Sequence, residues 1–189
     1  MITVSDHSLS LEEQRLWIDD TRAIISKAPL RRPHTPGGKP MRVRVSAAGD
    51  WGWTADGEYR YDSQQKNGEP WPEIPERWVK RASEVAGDQP WDSAIINWYE
   101  EGASLGLHVD KNERDLTRPI VTFSLGDDCS WAVQYGGRTH RQRLESGAIT
   151  HLSGSFRLCP HSVERIIPSP LLSPLRVRGR VSVTMRVAG

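Results

Sequence analysis

The chain has 189 residues, enough to bury a substantial core, and a single domain over residues 1–189 is expected. With 25 basic against 24 acidic side chains its formal charge is +1, which neither marks a nucleic-acid binder nor excludes a local basic groove. Cys129 and Cys159 lie in no CxxC or zinc-ligand spacing, which argues against a disulfide scaffold and predicts free thiols in a reducing compartment. The opening MITVSDHSLSLEEQ has no basic or apolar leader, and no segment reaches about 18 consecutive apolar residues, so a cytoplasmic protein without membrane contact is expected.

Ser10-Leu-Glu-Glu13 has the form of a capping box. Leu11, Trp17, Ile18, Ile24, Ile25 and Ala28 follow near helical spacing up to Pro29, predicting an amphipathic helix within residues 1–29. Residues 30–74 are rich in Pro, Gly, Arg and aromatics; MRVRV alternates like a strand with one basic face, and the remainder reads as loops and short hairpins. So long a loop-rich insert is more often functional than decorative. A second helix is predicted from about Pro75, where Trp78, Val79, Ala82, Val85 and Ala86 form a stripe ending at Gly87.

Beyond Gly87 come short extended runs separated by turn residues: SAIINWY, ASLGL, PIVTFSL, SWAVQY, AITHL, HSVERII and RVSVTMRV. This pattern predicts a β-sandwich or barrel with helices packed on it rather than a βαβ sheet. Most of the eight tryptophans are expected in the core, since other aromatics are few.

On a strand, residues two apart face the same side, so His108 and Asp110 in GLHVDKNERDL can present an imidazole and a carboxylate to one point. Taken alone, the pair reads more simply as a surface hydrogen bond. His161, in RLCPHSVERI, would complete two histidines and a carboxylate, the facial triad of non-haem iron oxygenases. His151, in AITHLSG, is the rival for that place, though it reads more readily as a satisfied core or rim histidine. No fourth ligand at convincing spacing suggests a closed structural zinc site. In RGRVSVTMRVAG, Arg180, Ser182, Thr184 and Arg186 share one strand face. An arginine pointing into a sandwich needs an anion, which a dicarboxylic acid would supply; the alternative is a terminal strand with a solvated basic face.

NWY at 97–99, HVDKNERDL at 108–116, RPIVTFSLG at 118–126, Gly136-Gly137, His161 and the RVSVTMRVAG terminus together resemble the AlkB family of Fe(II)- and 2-oxoglutarate-dependent dioxygenases. TPGG at 35–38, GWT at 52–54, YRY at 59–61 and PWPEIP at 70–75 resemble that family's nucleotide-recognition lid, and the likeness covers roughly residues 30–189. It implies an α+β, mainly β fold: a double-stranded β-helix, or jelly-roll, core over 75–189 with supporting helices and an N-terminal nucleotide-recognition lid over 30–74. His108, Asp110 and His161 would hold Fe(II), while Asn97, Tyr99, Arg180 and Arg186 would bind 2-oxoglutarate. Trp53 would stack on the target base, worth roughly 1–3 kcal/mol for an aromatic platform. Tyr59 and Tyr61 would lie beside the phosphate backbone, and Arg138 would contact a phosphate or base.

The chain also departs from the family. Asn112 stands where its best-known DNA-repair members carry an acid, so the position can accept from an exocyclic amine but cannot offset a cationic base. Ser182 replaces an asparagine, Ser104 replaces a lysine, and the stretch between Leu125 and Gly136 reads as a longer loop than usual.

The resemblance implies a monomer that consumes 2-oxoglutarate and O2, releases succinate and CO2, and hydroxylates an N-methyl group whose carbinolamine collapses to formaldehyde. Its substrate would be single-stranded or base-flipped DNA, or RNA such as tRNA. A hydroxylase of a non-nucleic-acid substrate on the same fold is the alternative, because the triad and arginines specify cofactors alone. A non-enzymatic binding module is the third reading.

Overall fold

The computed structural model describes residues 3–4, 8–169 and 174–189. Residues 1–2 and 5–7 of the expected N-terminal segment lie outside the described residues. Thr3–Val4 forms β1, a short strand that the sequence did not announce. Helix α1, Leu11–Lys27, starts where the capping box predicts: the Ser10 hydroxyl accepts from the Glu13 amide at 3.2 Å, and the Glu13 carboxylate accepts from the Ser10 amide at 2.7 Å. Its buried stripe runs through Gln14, Trp17, Ile18, Thr21 and Ile24, while Leu11, expected in that stripe, is 58% exposed. Gln14 takes the first buried turn instead, because its amide bonds the Leu9 carbonyl at 2.9 Å and accepts from the Ser146 hydroxyl at 2.7 Å.

The insert holds β2 (Arg44–Gly49) and the hairpin β3 (Gly52–Ala55) and β4 (Tyr59–Asp62). The MRVRV run alternates in burial as predicted, with Val43 and Val45 buried and Arg42 and Arg44 exposed, but the ladder starts only at Arg44. Part of the segment expected as a lid therefore belongs to the core, since β2 pairs with β5 (Ser93–Tyr99). The β3–β4 hairpin stays separate and rests on Trp71: a Cβ at Gly52 would fall inside the Trp71 indole, and Trp71 Nε1 donates to the Asp62 carbonyl at 2.9 Å. Helix α2, Glu76–Ala86, runs between Pro75 and Gly87 as predicted.

After β5 come β6 (Leu105–His108), β7 (Ile120–Gly126), β8 (Asp128–Tyr135), β9 (Arg138–Leu144), β10 (Ile149–Leu152), β11 (His161–Ile167) and β12 (Arg180–Arg186). All seven predicted runs are strands. The eighth, β9, escaped prediction because RTHRQRL has no apolar alternation: it is an edge strand with its first six residues exposed. The stretch from Leu125 to Gly136, read as a long loop, is a tight turn followed by β8. That turn requires a glycine, since Gly126 has φ 96° and a Cβ there would meet Leu175 and the Gly179 carbonyl.

A six-stranded antiparallel sheet, ordered β1-β10-β7-β12-β5-β2, faces a four-stranded one, ordered β6-β11-β8-β9, giving the double-stranded β-helix. Alternation along the larger sheet separates two environments. Val181, Val183 and Met185 point to the helices, where Trp17 stacks on Trp78 with ring centroids 5.0 Å apart. Each such buried large side chain contributes about 1.5–3 kcal/mol. Arg180, Ser182, Thr184 and Arg186 point between the sheets. Both cysteines are free and buried. Among the described residues, no helix is long and apolar enough to cross a membrane.

Candidate metal centre and cofactor pocket

The smaller sheet builds the metal group. β11 pairs antiparallel with β6 so that His161 lies directly opposite His108, and Asp110 follows where the chain leaves β6. The candidate ligand atoms of these three residues all lie within 4.8 Å of one another. His108 Nε2 is 3.7 Å from Asp110 Oδ1, and His161 Nε2 is 3.5 Å from Oδ2. His108 Nδ1 sits 2.8 Å from the Gly106 carbonyl and His161 Nδ1 3.1 Å from the Cys159 carbonyl. A carbonyl only accepts, so each Nδ1 carries the proton and each Nε2 keeps a lone pair for a metal. Burial, reinforced by the neighbouring His161, depresses the His108 pKa and favours the neutral, ligating form.

Among the described residues this group contains no fourth histidine, cysteine or acid, so coordination positions remain for other ligands. The rival, His151, lies on β10 in the other sheet. Its Nε2 is buried without a hydrogen-bond partner among the described residues, so it is a rim histidine but not a satisfied one.

Behind the triad is a buried ion network. Arg186 donates to Asp110 Oδ2 at 2.9 Å, to Glu113 Oε1 at 2.5 Å and to the Tyr61 hydroxyl at 3.2 Å. Arg157 donates to Glu113 Oε2 at 3.1 Å, to the Asp110 carbonyl at 2.8 Å and to the Arg118 carbonyl at 2.7 Å. Two carboxylates are thus matched by two guanidinium groups. Burial, the largest single influence, would raise both acids, but Arg186 acting together with the histidines His161 and His108 at Asp110, and with the Tyr61 hydrogen bond at Glu113, outweighs it, and both pKa values fall below the usual range. Burial pushes the Tyr61 phenol well up, so it stays protonated and donates to Glu113 at 2.7 Å. Sequence reasoning missed Glu113 and Arg157. Their only signal was proximity to Asp110 and His161 along the chain.

The larger sheet supplies the pocket beside the metal group. Arg180 pairs with Tyr99 across the β12–β5 ladder and Ser182 pairs with Asn97, which brings these side chains together. A cavity of about 50 Å³ is lined by them together with all three triad residues. Arg180 is 2% exposed; it donates to the Ser124 hydroxyl at 2.8 Å and lies 5.0 Å over the Tyr99 ring. Its Nε and Nη1 are buried with no hydrogen-bond partner among the described residues.

A buried guanidinium without an acid is too costly to be purely structural, and a ligand carboxylate could meet those two donors. The residues therefore fit a 2-oxo dicarboxylic acid, one carboxylate of which Arg180 would hold in the cavity that the triad also lines. Arg186 differs: it is engaged by protein acids and has only Nε unpartnered.

A larger cavity, of about 390 Å³, opens on the other side of the triad between the hairpin and β6. Its lining includes Trp53, Tyr59, Asn97, Ser104, His108 and Asn112. Tyr59 stands 5.3 Å from Trp53, and its carbonyl accepts from Asn112 Nδ2 at 3.1 Å, tying the hairpin to the metal-ligand loop. Tyr61, expected beside a phosphate path, turns its hydroxyl inward to Glu113. Arg138 lies exposed at the start of β9 and lines neither cavity.

A family model described as the 2OG-Fe(II) oxygenase superfamily matches residues 2–186. The chain is 38% identical over 188 residues to an alpha-ketoglutarate-dependent dioxygenase AlkB homolog of Caulobacter vibrioides, covering 95% of this chain and 84% of that one. It is 28% identical over 175 residues to the nucleic acid dioxygenase ALKBH1 of Mus musculus, covering 87% of this chain and 42% of that one. The OsALKBH1 structure superposes with a TM-score of 0.80 at 23% identity, covering 96% of this chain and 95% of that one, which establishes the shared fold. With the triad and the carboxylate-hungry Arg180 in place, the chain belongs to the 2OG-Fe(II) oxygenase superfamily and within it to the AlkB dioxygenases, enzymes that work with Fe(II), 2-oxoglutarate and O2.

Proposed function

We propose that the chain oxidatively removes N-methyl groups from nucleobases of single-stranded or base-flipped nucleic acid. The observation that carries this reading is the 390 Å³ cavity with His108 and Asp110 in its wall and an aromatic pair, Trp53 and Tyr59, on the hairpin. A base can stack on Trp53 and bring its methyl group to the metal, whereas a base inside a duplex cannot. The mouse relative's name, a nucleic acid dioxygenase, agrees with it.

In this reading His108, Asp110 and His161 hold Fe(II), and Arg180 orients 2-oxoglutarate with Asn97 and Tyr99. Iron, 2-oxoglutarate and O2 together supply the oxidising power that hydroxylates the methyl carbon, leaving succinate, CO2 and, after carbinolamine collapse, formaldehyde and the bare base. The apolar walls formed by Val45, Ile95 and Leu105 keep water from the reacting carbon. Asp110 is kept ionised and oriented by Arg186, and Arg157 holds Glu113 and the Asp110 backbone in place. The chain acts as a cytoplasmic monomer.

The test is release of succinate and formaldehyde with methylated oligonucleotides. The expected result is stoichiometric release that His108→Ala and Asp110→Ala abolish and Trp53→Ala weakens through KM. No release from any methylated DNA or RNA would sink the proposal.

A further inference from the structure

The charges around the substrate cavity are unusually complete. Among the described residues that line it, Asp110 is the sole acid, and Arg186 engages it at 2.9 Å. The next acid along the loop, Glu113, is shared between Arg186 and Arg157. No anion is left over to face a bound base.

At the mouth the balance is positive. Arg42 is exposed, lines the cavity, and makes no hydrogen bond or ion pair with a described residue. Asn112 lines the same wall. Its Nδ2 is occupied by the Tyr59 carbonyl, and its Oδ1 has no partner among the described residues. That oxygen can accept from an exocyclic N–H, but it offers no charge.

Resting on the demethylase reading, we propose that this cavity selects N-methylated bases without formal charge over cationic ones, with Asn112 and Arg42 as the specificity-determining residues. A cationic base, such as 1-methyladenine or 3-methylcytosine, would lose water among Met41, Val45 and Leu105 and gain no opposing charge. Arg42 adds repulsion. A neutral base, such as N6-methyladenine or 3-methylthymine, loses little on entry, and N6-methyladenine retains an N–H for Asn112 Oδ1. One unit charge across a half-exposed pocket is worth about tenfold in affinity or rate.

The test uses one single-stranded DNA sequence carrying each of these four bases in turn, with the wild type, Asn112→Asp and Arg42→Gln. Two quantities are read: kcat/KM for the iron-loaded enzyme, and Kd by fluorescence anisotropy for metal-free protein. In both readouts the wild type is expected to favour the neutral bases, by about tenfold in Kd. Asn112→Asp should move the ratio about tenfold toward the cationic bases, and Arg42→Gln should move it the same way by less. Preferential binding and turnover of the cationic bases by the wild type, or a Kd ratio that Asn112→Asp leaves unmoved, would overturn the selectivity while leaving demethylation standing. Failure to turn over any methylated base in this DNA or in RNA would instead remove the demethylase reading, and the selectivity with it.

Discussion

A terminal nitrogen of Arg186 lies 2.9 Å from Asp110 Oδ2, so a guanidinium on the larger sheet fixes a carboxylate that belongs to the metal group on the smaller one. Arg186→Lys keeps the charge but loses the fork that serves Asp110, Glu113 and Tyr61 together. Affinity for a divalent metal should fall about 10- to 100-fold, read as Co(II) absorbance during titration, with the far-ultraviolet circular dichroism retained. An unchanged titration would show that Arg186 does not position the ligand.

Arg180 carries two buried, unpartnered donors and should separate stability from cofactor binding. In metal-loaded wild type, 2-oxoglutarate at about 100 times its Kd should raise Tm by roughly 5–10 °C. Arg180→Met should lose that rise. The same variant without 2-oxoglutarate should be at least as stable as the wild type, by up to about 1–4 kcal/mol, because an apolar side chain replaces an unmatched charge. A destabilised Arg180→Met that still responds to 2-oxoglutarate would contradict the assignment.

The Asp110 and Glu113 carboxyls are held below their ordinary values of 3.8 and 4.5. Groups depressed in this way stabilise the fold fully above those ordinary values and lose the contribution as pH falls through the lower, folded-state values. The metal-free protein should therefore begin to lose stability as pH falls below 6.5, where the unfolded chain protonates histidines such as His108 that burial keeps neutral in the fold, and lose it steeply below about 4.5, where the carboxylates' contribution goes. Glu113→Gln should cost about 3–5 kcal/mol at pH 7 and flatten the acid limb. Glu113→Gln with Arg157→Met should cost less than the sum of the two, because the pair shares one interaction.

Ser10→Ala removes the hydroxyl that caps α1 and should cost about 1 kcal/mol by urea unfolding. Glu13, the other half of the box, has its pKa lowered chiefly by the Ser10 backbone amide. Its share is present above the ordinary value of 4.5 and lost on acidification below it, and because Ser10→Ala keeps that backbone amide, this loss should appear in wild type and variant alike while the hydroxyl's contribution remains as the difference between them.

Local physics made much of this legible in the sequence. The capping box located α1, Pro75 and Gly87 bounded α2, and period-two alternation located seven strands, because each feature acts over a few neighbouring residues. It failed at β9, where edge position replaces apolar patterning, and at Leu11, where the first buried turn goes to a glutamine held by the nearby Leu9 carbonyl and by the Ser146 hydroxyl, 132 positions away. The motif order was enough to bring His108, Asp110, His161, Arg180, Asn97 and Tyr99 to one site, and these residues do line one cavity.

Glu113 and Arg157 could not be read in advance. They lie 44 positions apart in sequence, and nothing local says that a glutamate beside an asparagine is buried or that an arginine in a turn is its partner. Sheet pairing across β6 and β11, and facing across β12, decided that. The sequence by itself determined the identity of the chemical groups and their strand faces. Only the tertiary structure decided their charge balance, because whether a carboxylate is free or matched depends on which distant guanidinium the packing brings within reach.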